Sequence, residues 1–313
     1  MQRRFRATAK AAGPNTACTL TDCADTNPTI NAQCAVEPLC RHSIVDPMSA
    51  LTQKISPILF AALVTWFAAV GAEPSALCTD RPTKSTGTCT ADSGHLQVES
   101  DLVSYTRSTQ GDITATTWVL LNPTVKYGLS DTLDAEASAA LAVESRTSGG
   151  ASSDSLAGVG DLYLKLKQRF TLTDAVDLAL MPVIKLPTAR HGLGNGAVEF
   201  GLLAPVVMRL NDDWSINLSP EIDRLRNQSG AGYHTATAQL VNLGRALPHD
   251  FSISFEWWSA WDQDPNAPSR QASLDVGLAW LASRNVQFDL GVNRGLNAAT
   301  PQIQAYLGVA KRY

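Results

Sequence analysis

Hydrophobic and polar residues alternate with a period of two through most of the chain that follows Gly94. The same pattern recurs in 161–170, 198–210, 274–281 and 286–293. In the last of these stretches one face is apolar and the other is polar or glycine: Val286, Phe288, Leu290 and Val292 oppose Gln287, Asp289, Gly291 and Asn293. A period of two with one apolar face predicts β-strands of which one face meets an apolar environment.

Breaks in the alternation divide 94–313 into twelve extended segments. Short connections that contain Asp, Asn or Pro alternate with longer ones rich in Gly, Ser, Asn or Pro. Two of the longer connections are Arg146 to Gly158 and Thr188 to Gly196. The predicted strands are 95–106, 113–128, 133–145, 159–171, 175–187, 198–210, 214–226, 233–246, 251–261, 270–282, 286–294 and 301–313. The pattern predicts an all-β fold: a transmembrane antiparallel β-barrel with tight turns at one rim, loops at the other and an even strand number.

A soluble β-sandwich produces the same alternation, and strand length favours the barrel. Most segments are roughly 10–14 residues long, as a tilted membrane-spanning strand of about 9–11 residues with its ends requires. Strands of soluble sheets are most often about 5–6 residues long. Closure is expected because an open sheet edge in lipid would leave backbone groups unpaired. With twelve strands, both ends of the barrel lie at the turn rim, which we expect to be periplasmic.

The residues before the barrel are predicted to carry a secretory signal. Lys54 precedes an apolar run from Ile55 to Val70, and a small-residue cleavage pattern ends at Ala72, so 48–72 is interpreted as a signal peptide. A single-pass anchor is the alternative. Because export signals lie at the N-terminus, we expect translation to start at Met48 and 1–47 to be an over-called, disordered gene start. Residues 73–93 are then a periplasmic leader.

Two cysteines, Cys78 and Cys89, lie in the leader. An exported protein meets an oxidising compartment, which favours a disulfide between them over a free catalytic thiol. The four upstream cysteines, Cys18, Cys23, Cys34 and Cys40, have poor spacing for a zinc site.

Composition supports the barrel. The chain has 313 residues, of which 44% are hydrophobic and 17% charged, with a net charge of −4 and a mean hydropathy of −0.05. These values argue against a polytopic helical membrane protein, which needs several apolar segments of about 20 residues. The mild acidity argues against a nucleic-acid partner.

Alternation assigns most charged strand residues to the barrel lumen. They could form a polar lining that selects solutes or a salt-bridged filling of a narrow barrel, and both interpretations stay open. The predicted lumen residues are Glu99, Asp101, Lys126, Asp134, Glu136, Asp161, Lys165, Lys167, Arg169, Asp177, Lys185, Glu199, Arg209, Glu221, Asp223, Glu256, Asp275, Asp289 and Arg312. For the basic stripe Lys165, Lys167 and Arg169, ion pairing with neighbouring strands is favoured over anion steering.

Aromatic residues are predicted at the membrane interface. Trp257, Trp258 and Trp261 cluster at the end of one predicted strand, and Tyr313 ends the chain. An aromatic girdle explains the cluster, with capture of an aromatic substrate as the alternative. An aromatic last residue on an alternating strand is what outer-membrane barrels present to the barrel-assembly machinery. The loop 262–266 has partial calcium-loop spacing without the required glycine and glutamate.

Several motifs resemble those of the phenol-degradation meta-pathway (MetA) transporter family. They are Cys78-Thr79-Asp80-Arg81-Pro82-Thr83-Lys84 with Cys89, Gly94-His95-Leu96-Gln97-Val98-Glu99, Gly158-Val159-Gly160-Asp161-Leu162 with Lys165, Lys185-Leu186-Pro187-Thr188 and Asp213-Trp214-Ser215-Ile216-Asn217. The resemblance covers 78–313. It implies a Gram-negative outer-membrane barrel with an uptake role for hydrophobic or aromatic compounds. Many relatives have Gly after Pro-Thr, whereas here Ala189-Arg190-His191 precede Gly192.

The sequence therefore predicts an outer-membrane channel for passive passage of small hydrophobic or aromatic compounds. The alternative is a structural or adhesive barrel without transport. A third hypothesis, an outer-membrane lipid hydrolase, lacks support: His234 with Thr235 or Thr237 forms no nucleophile–base–orienter set, and Gly-x-Ser-x-Gly is absent. We expect no enzyme activity, catalytic residue, cofactor or metal, and as partners the membrane lipid, the assembly machinery and the solutes.

Overall fold

The computed structural model describes residues 75–149 and 152–313. The predictions for 1–47 and the signal peptide lie outside these residues. Within them, no helix has the length and apolar character needed to cross a membrane. The strands are β1 (Leu96–Gln110), β2 (Ile113–Ser130), β3 (Leu133–Ser138), β4 (Ala142–Gly149), β5 (Ser152–Gly158), β6 (Leu162–Thr173), β7 (Val176–Leu186), β8 (Glu199–Leu203), β9 (Val206–Arg209), β10 (Trp214–Leu218), β11 (Glu221–Arg226), β12 (Tyr233–Leu247), β13 (Phe251–Asp262), β14 (Ser269–Ser283), β15 (Val286–Gly295) and β16 (Ile303–Arg312).

These segments form one closed antiparallel barrel of twelve long strands, as predicted. Four long strands consist of two segments each, namely β3 with β4, β5 with β6, β8 with β9, and β10 with β11. The barrel closes because β1 pairs with both β2 and β16. Gln97 lies opposite Arg312, so β1 begins where β16 ends.

Two of the interruptions coincide with prolines. Pro205 separates β8 from β9, and Pro220 separates β10 from β11 on the adjacent strand. Proline has no backbone N–H and cannot continue the ladder. The amide of Ala204 donates to the carbonyl of Pro220 across the gap, so the two breaks face each other and the barrel wall stays continuous.

The connections define two rims. The turn rim carries 131–132, 174–175, 210–213, 248–250 and 284–285, together with the start of β1 and the end of β16. The loop rim carries 111–112, 187–198, 227–232, 263–268 and 296–302. The predicted loop Arg146 to Gly158 is wrong, because β4 and β5 pair through it from Val143–Gly158 to Gly149–Ser152. Strand pairing here needs no apolar face, which is why the hydrophobic pattern did not show it.

The two faces of the barrel differ as the alternation predicts. On β15, the outward-facing Phe288, Leu290 and Val292 are 43–49% exposed. The residues between them face inward, and Asp289 is 3% exposed. An exposed apolar band around a closed sheet matches the hydrocarbon layer of a membrane.

Candidate functional site

The leader lies inside the barrel. Cys78 and Cys89 are joined by a disulfide with 6.2 Å between their Cα atoms. Residues 78–92, which we call the plug, form hydrogen bonds or ion pairs with inward-facing side chains on β1, β2, β3, β6, β10, β12, β13, β14, β15 and β16. Because these strands surround it, the plug occupies the lumen. The segment predicted as a periplasmic leader thus lies within the barrel.

The first charged residue of the plug, Asp80, lies between two wall lysines. Its carboxylate is 2.6 Å from the Nζ atoms of both Lys126 and Lys167. The carboxylates of Glu99 and Glu136 complete the cluster at 2.6 Å from Lys126 and 3.4 Å from Lys167 respectively. Burial alone would raise the pKa of Asp80, but the two lysines hold that pKa well below its usual range. Asp80 is thus a buried anion.

The next residue, Arg81, is positively charged and contacts a different part of the wall. Its guanidinium is 2.8 Å from Asp101 on β1 and 2.7 Å from Asp289 on β15. Its Cζ atom also lies 6.0 Å from the ring centre of Tyr306. Burial would lower the pKa of Arg81, but the two carboxylates raise it above its ordinary value. Adjacent plug residues therefore bind wall charges of opposite sign.

A third contact holds Lys84 and Ser85. The Nζ atom of Lys84 is 2.7 Å from Asp275 and 4.6 Å from the ring centre of Trp258. The backbone amides of Lys84 and Ser85 donate to the carboxylate of Glu256 at 3.1 and 2.9 Å. Side chains of β13 and β14 thus bind both the backbone and a side chain of the plug.

Glycines on the inner wall leave room for the plug. A Cβ atom added at Gly308 would lie 1.9 Å from an Arg81 nitrogen, and one at Gly277 would lie 2.5 Å from Pro82. At Gly128 it would meet the carbonyl oxygen of Asp92 at 2.0 Å. Side chains at these positions would collide with the plug, so the wall is shaped to it.

Little space remains beside the plug. A cavity of about 30 Å³ lies next to Asp80 and Arg81, with Glu99, Asp101 and Lys126 in its lining. A volume of this size holds a water molecule or two, so the plug and the wall side chains lie close together at this level.

Polar residues also cluster at the loop end of the lumen. Lys185 is 2.8 Å from Glu199 and 3.5 Å from Asp161. Near the loop 263–268, His234 lies 2.8 Å from Asp262. Among the described residues, no group of three His, Cys, Asp or Glu side chains could hold a metal ion.

The predicted lumen residues fall into two groups. Those that bind the plug directly are Glu99, Asp101, Lys126, Lys167, Asp134, Glu256, Asp275, Asp289 and Arg312. The remaining predicted lumen residues are Glu136, Asp161, Lys165, Arg169, Asp177, Lys185, Glu199, Arg209, Glu221 and Asp223; of these, Lys165 pairs with Glu136 and Arg209 with Asp177, and Arg169 donates to the carbonyl of Asp131.

The aromatic prediction needs one correction. Trp257 and Trp261 are 42% and 48% exposed on the outer face, and Tyr313 is 57% exposed. Trp258 is 9% exposed and stacks with Lys84 in the lumen. Consecutive strand residues face opposite sides, so the three tryptophans could not share one face.

The sequence reasoning missed the plug residues Asp80, Arg81 and Lys84 and the glycines that receive them. One signal was available: three charged residues lie within a short segment closed by two cysteines. Nothing in that segment is periodic, and its place in the lumen depends on contacts more than 170 residues away along the chain for Lys84 and Ser85.

A closed sheet with an apolar outer band and a polar inner face defines a transmembrane β-barrel protein. The family described as "Putative MetA-pathway of phenol degradation" matches residues 79–313. The chain belongs to this family.

One solved structure supports the fold, and others are more distantly similar. An outer membrane channel from Pseudomonas putida F1 is 16% identical, with a TM-score of 0.58, over 74% of this chain and 100% of that chain. The NanC porin (11% identity, TM-score 0.45) covers 69% of this chain and 98% of its own, and the CymD monoaromatic hydrocarbon channel (9%, 0.42) covers 70% and 88%. No curated protein matches the sequence.

Proposed function

We propose that this protein is an outer-membrane channel for passive passage of small hydrophobic or aromatic compounds, and that the plug controls its opening. The turn rim, with both ends of the barrel, faces the periplasm. Residues 48–72 direct export, and the protein acts as a channel rather than an enzyme. The family description, which names phenol degradation, supports an aromatic cargo.

One observation carries the gating part of the proposal: the lumen is filled by a segment that is not part of the wall. The plug binds the barrel through ion pairs and hydrogen bonds, and its one covalent cross-link, Cys78–Cys89, lies within itself. Such a segment can leave the lumen without breaking a strand. Its removal would expose a wall of charged and amide side chains.

A second candidate function is a structural barrel without transport. The ion pairs that hold the plug in the lumen favour it, since a plug that stays in place obstructs passage. The two candidates differ in whether the plug ever leaves its site.

Single-channel conductance in a planar lipid bilayer tests the proposal. We expect brief openings for the unchanged chain and long-lived ones for Gly308→Ala, because a Cβ at Gly308 would lie 1.9 Å from an Arg81 nitrogen and would displace the guanidinium from Asp289. The matched control is Gly244→Ala, another inward-facing glycine whose Cβ would have atoms of the wall residues Ser215 and Asn242 as its nearest neighbours. It should behave like the unchanged chain.

Equal conductance in both variants would contradict a gating plug. Absence of any conductance, together with unchanged entry of phenol into cells that lack the protein, would favour the structural barrel.

Assembly is proposed to depend on the last strand. β16 pairs with β1 and β15, and Tyr313 follows it at the turn rim. We propose that this strand is presented to the barrel-assembly machinery. N-terminal sequencing of the mature protein tests the export signal; a peptide from 1–47 in it would contradict a start at Met48.

A further inference from the structure

The outer face near the loop rim carries several arginines. The residue following Val292 in the outward series on β15 is Arg294, and the residue following Ile222 on β11 is Arg224. The outward arginines near this rim are Arg107, Arg146, Arg224, Arg226, Arg270 and Arg294. On β1 and β15, the next outward residues toward the turn rim are Tyr105 and Val292, so Arg107 and Arg294 have no acidic neighbour on their own strands.

Three of these arginines lie in one row across five strands. Arg146 is opposite Thr116, Thr116 is opposite Arg107, Arg107 is opposite Ile303, and Ile303 is opposite Arg294. Neighbouring strands are about 4.8 Å apart, so successive arginines are separated by about 10 Å. We call Arg107, Arg146 and Arg294 the arginine row.

The row carries excess positive charge. Arg146 pairs with Glu144 at 2.6 Å, and that pair is largely exposed. Within the described part of the chain, no carboxylate lies within ion-pair distance of Arg107, and Arg294 donates only to the backbone carbonyl of Gln302 at 3.1 Å. Three cations with one carboxylate leave a net charge that an external anion can neutralise.

Aromatic residues place the basic face at the membrane boundary. The guanidinium of Arg270 lies 4.3 Å from the ring centre of Trp261, and that of Arg226 lies 5.2 Å from the ring centre of Tyr233. Tryptophan and tyrosine concentrate where acyl chains meet headgroups. The arginines therefore lie at headgroup level, within reach of lipid phosphates.

We propose that the arginine row binds the phosphate groups of a lipid headgroup in the leaflet at the loop rim. This inference rests on the proposed membrane location and not on transport. Guanidinium groups bind phosphate oxygens through two parallel hydrogen bonds. A row with about 10 Å between cations suits a headgroup with two phosphates better than one with a single phosphate.

The turn rim shows the contrast. Its outward cations are Arg245, stacked on Trp214 at 4.9 Å, and Lys311, at 4.4 Å from the Tyr313 ring centre. They lie on β12 and β16, which are not neighbours. These two residues form no row and provide a matched control.

The test is lipid binding to the refolded full chain in detergent, followed by native mass spectrometry. The probe is lipid A with two phosphates, and dephosphorylated lipid A is the comparison. We expect retention of lipid A, roughly 30-fold weaker in Arg107→Gln/Arg294→Gln. Arg245→Gln/Lys311→Gln should bind as the unchanged chain does.

Three results would overturn the proposal: equal binding by both double variants, equal retention of the dephosphorylated lipid, or binding of inorganic phosphate as tight as that of lipid A. If the double variant does not fold, judged by its heat-dependent shift on gels, the single Arg107→Gln variant replaces it, with several-fold weaker binding expected. Conductance in a phosphatidylcholine bilayer is measured separately, so a non-conducting protein that binds lipid A contradicts only the proposed function.

Discussion

The ion pairs of this protein differ in how much they stabilise it, because some are buried and others are exposed to water. Arg81 and its partners Asp101 and Asp289 are all at least 89% buried at the side chain. Arg209 pairs with Asp177 at a similar distance of 2.9 Å, but its side chain is 48% exposed. Water competes for the second pair and not for the first. The same residue type therefore holds the plug in one place and contributes little in the other.

Replacing Arg81 should destabilise the plugged barrel. Arg81→Gln removes the guanidinium from two buried carboxylates, which costs about 3–5 kcal/mol in comparable buried pairs. The control Arg209→Gln should cost less than about 1 kcal/mol. The free energy of unfolding in urea, measured in lipid vesicles, compares them. A difference below about 1 kcal/mol would contradict a role of Arg81 in holding the plug.

The lowered pKa of Asp80 predicts how the plug responds to acid. Its pKa in the folded protein is lowered from the ordinary value of 3.8. A carboxyl whose pKa is lowered by folding stabilises the folded state. This stabilisation is complete at a pH above the pKa of the unfolded chain and is lost as the pH falls towards the pKa of the folded protein. The difference in protease cleavage within 78–92 between Asp80→Asn and the unchanged chain should therefore be constant from about pH 5 to 8 and decrease only below about pH 4.

The control for this pH dependence is Asp80→Asn, which should show a weaker acid response because its side chain does not titrate. Release of the plug between pH 5 and 8 in the unchanged chain would show that another group controls it.

At the scale of elements, the strands and the plug are held by different forces. Each strand is held by ladder hydrogen bonds to two neighbours, and β1 is paired along its length with β2. The plug contains no strand between Cys78 and Cys89. Its conformation depends on the disulfide and on wall contacts. We expect the plug to respond to changes that leave the strands intact.

Loss of the disulfide should favour the open channel. A cross-link over a short loop restricts the released segment and is typically worth about 2–4 kcal/mol to the ordered form. Cys78→Ser/Cys89→Ser should show longer openings in a planar bilayer, and reductant should produce the same change in the unchanged chain. Reductant should not affect the double variant; a response there would assign the effect to something other than this disulfide.

At the scale of the whole molecule, the alternation separates a lipid-facing surface from a filled lumen. Leu290 lies in the middle of β15 and is 49% exposed on the outer face. Leu296 is 51% exposed but lies in the connection after β15. Leu290 and Leu296 are therefore similarly exposed, but Leu290 faces the hydrocarbon layer and Leu296 lies at the rim.

A charge at the middle of the outer face should impair insertion. Leu290→Arg should cost about 2–4 kcal/mol, whereas Leu296→Arg should cost about 0–1 kcal/mol because it lies at the rim. The folded fraction after refolding into vesicles, read from heat-dependent gel shifts, measures the difference. Equal yields would contradict the placement of β15 across the hydrocarbon layer.

The closed barrel could be predicted because each strand is encoded by a short stretch of the sequence. Alternation in 286–294 reports the two faces of β15, and the turn residues on each side report its ends. For 233–246 the predicted bounds differ from β12 by one residue. The β4–β5 hairpin was missed because its strands lack an apolar face. Trp258 was misplaced because its identity was weighed above its position in the alternation.

The sequence by itself determined the strand number, the two rims and the separation of apolar from charged faces, since each follows from a period of two along short stretches. It left open whether the lumen was lined or filled. Only the tertiary structure decided that, by bringing Asp80, Arg81 and Lys84 against wall residues far away in sequence. The physical reason is that an aperiodic segment has no local pattern. Its position is set by charge pairing and by the glycines that make room for it.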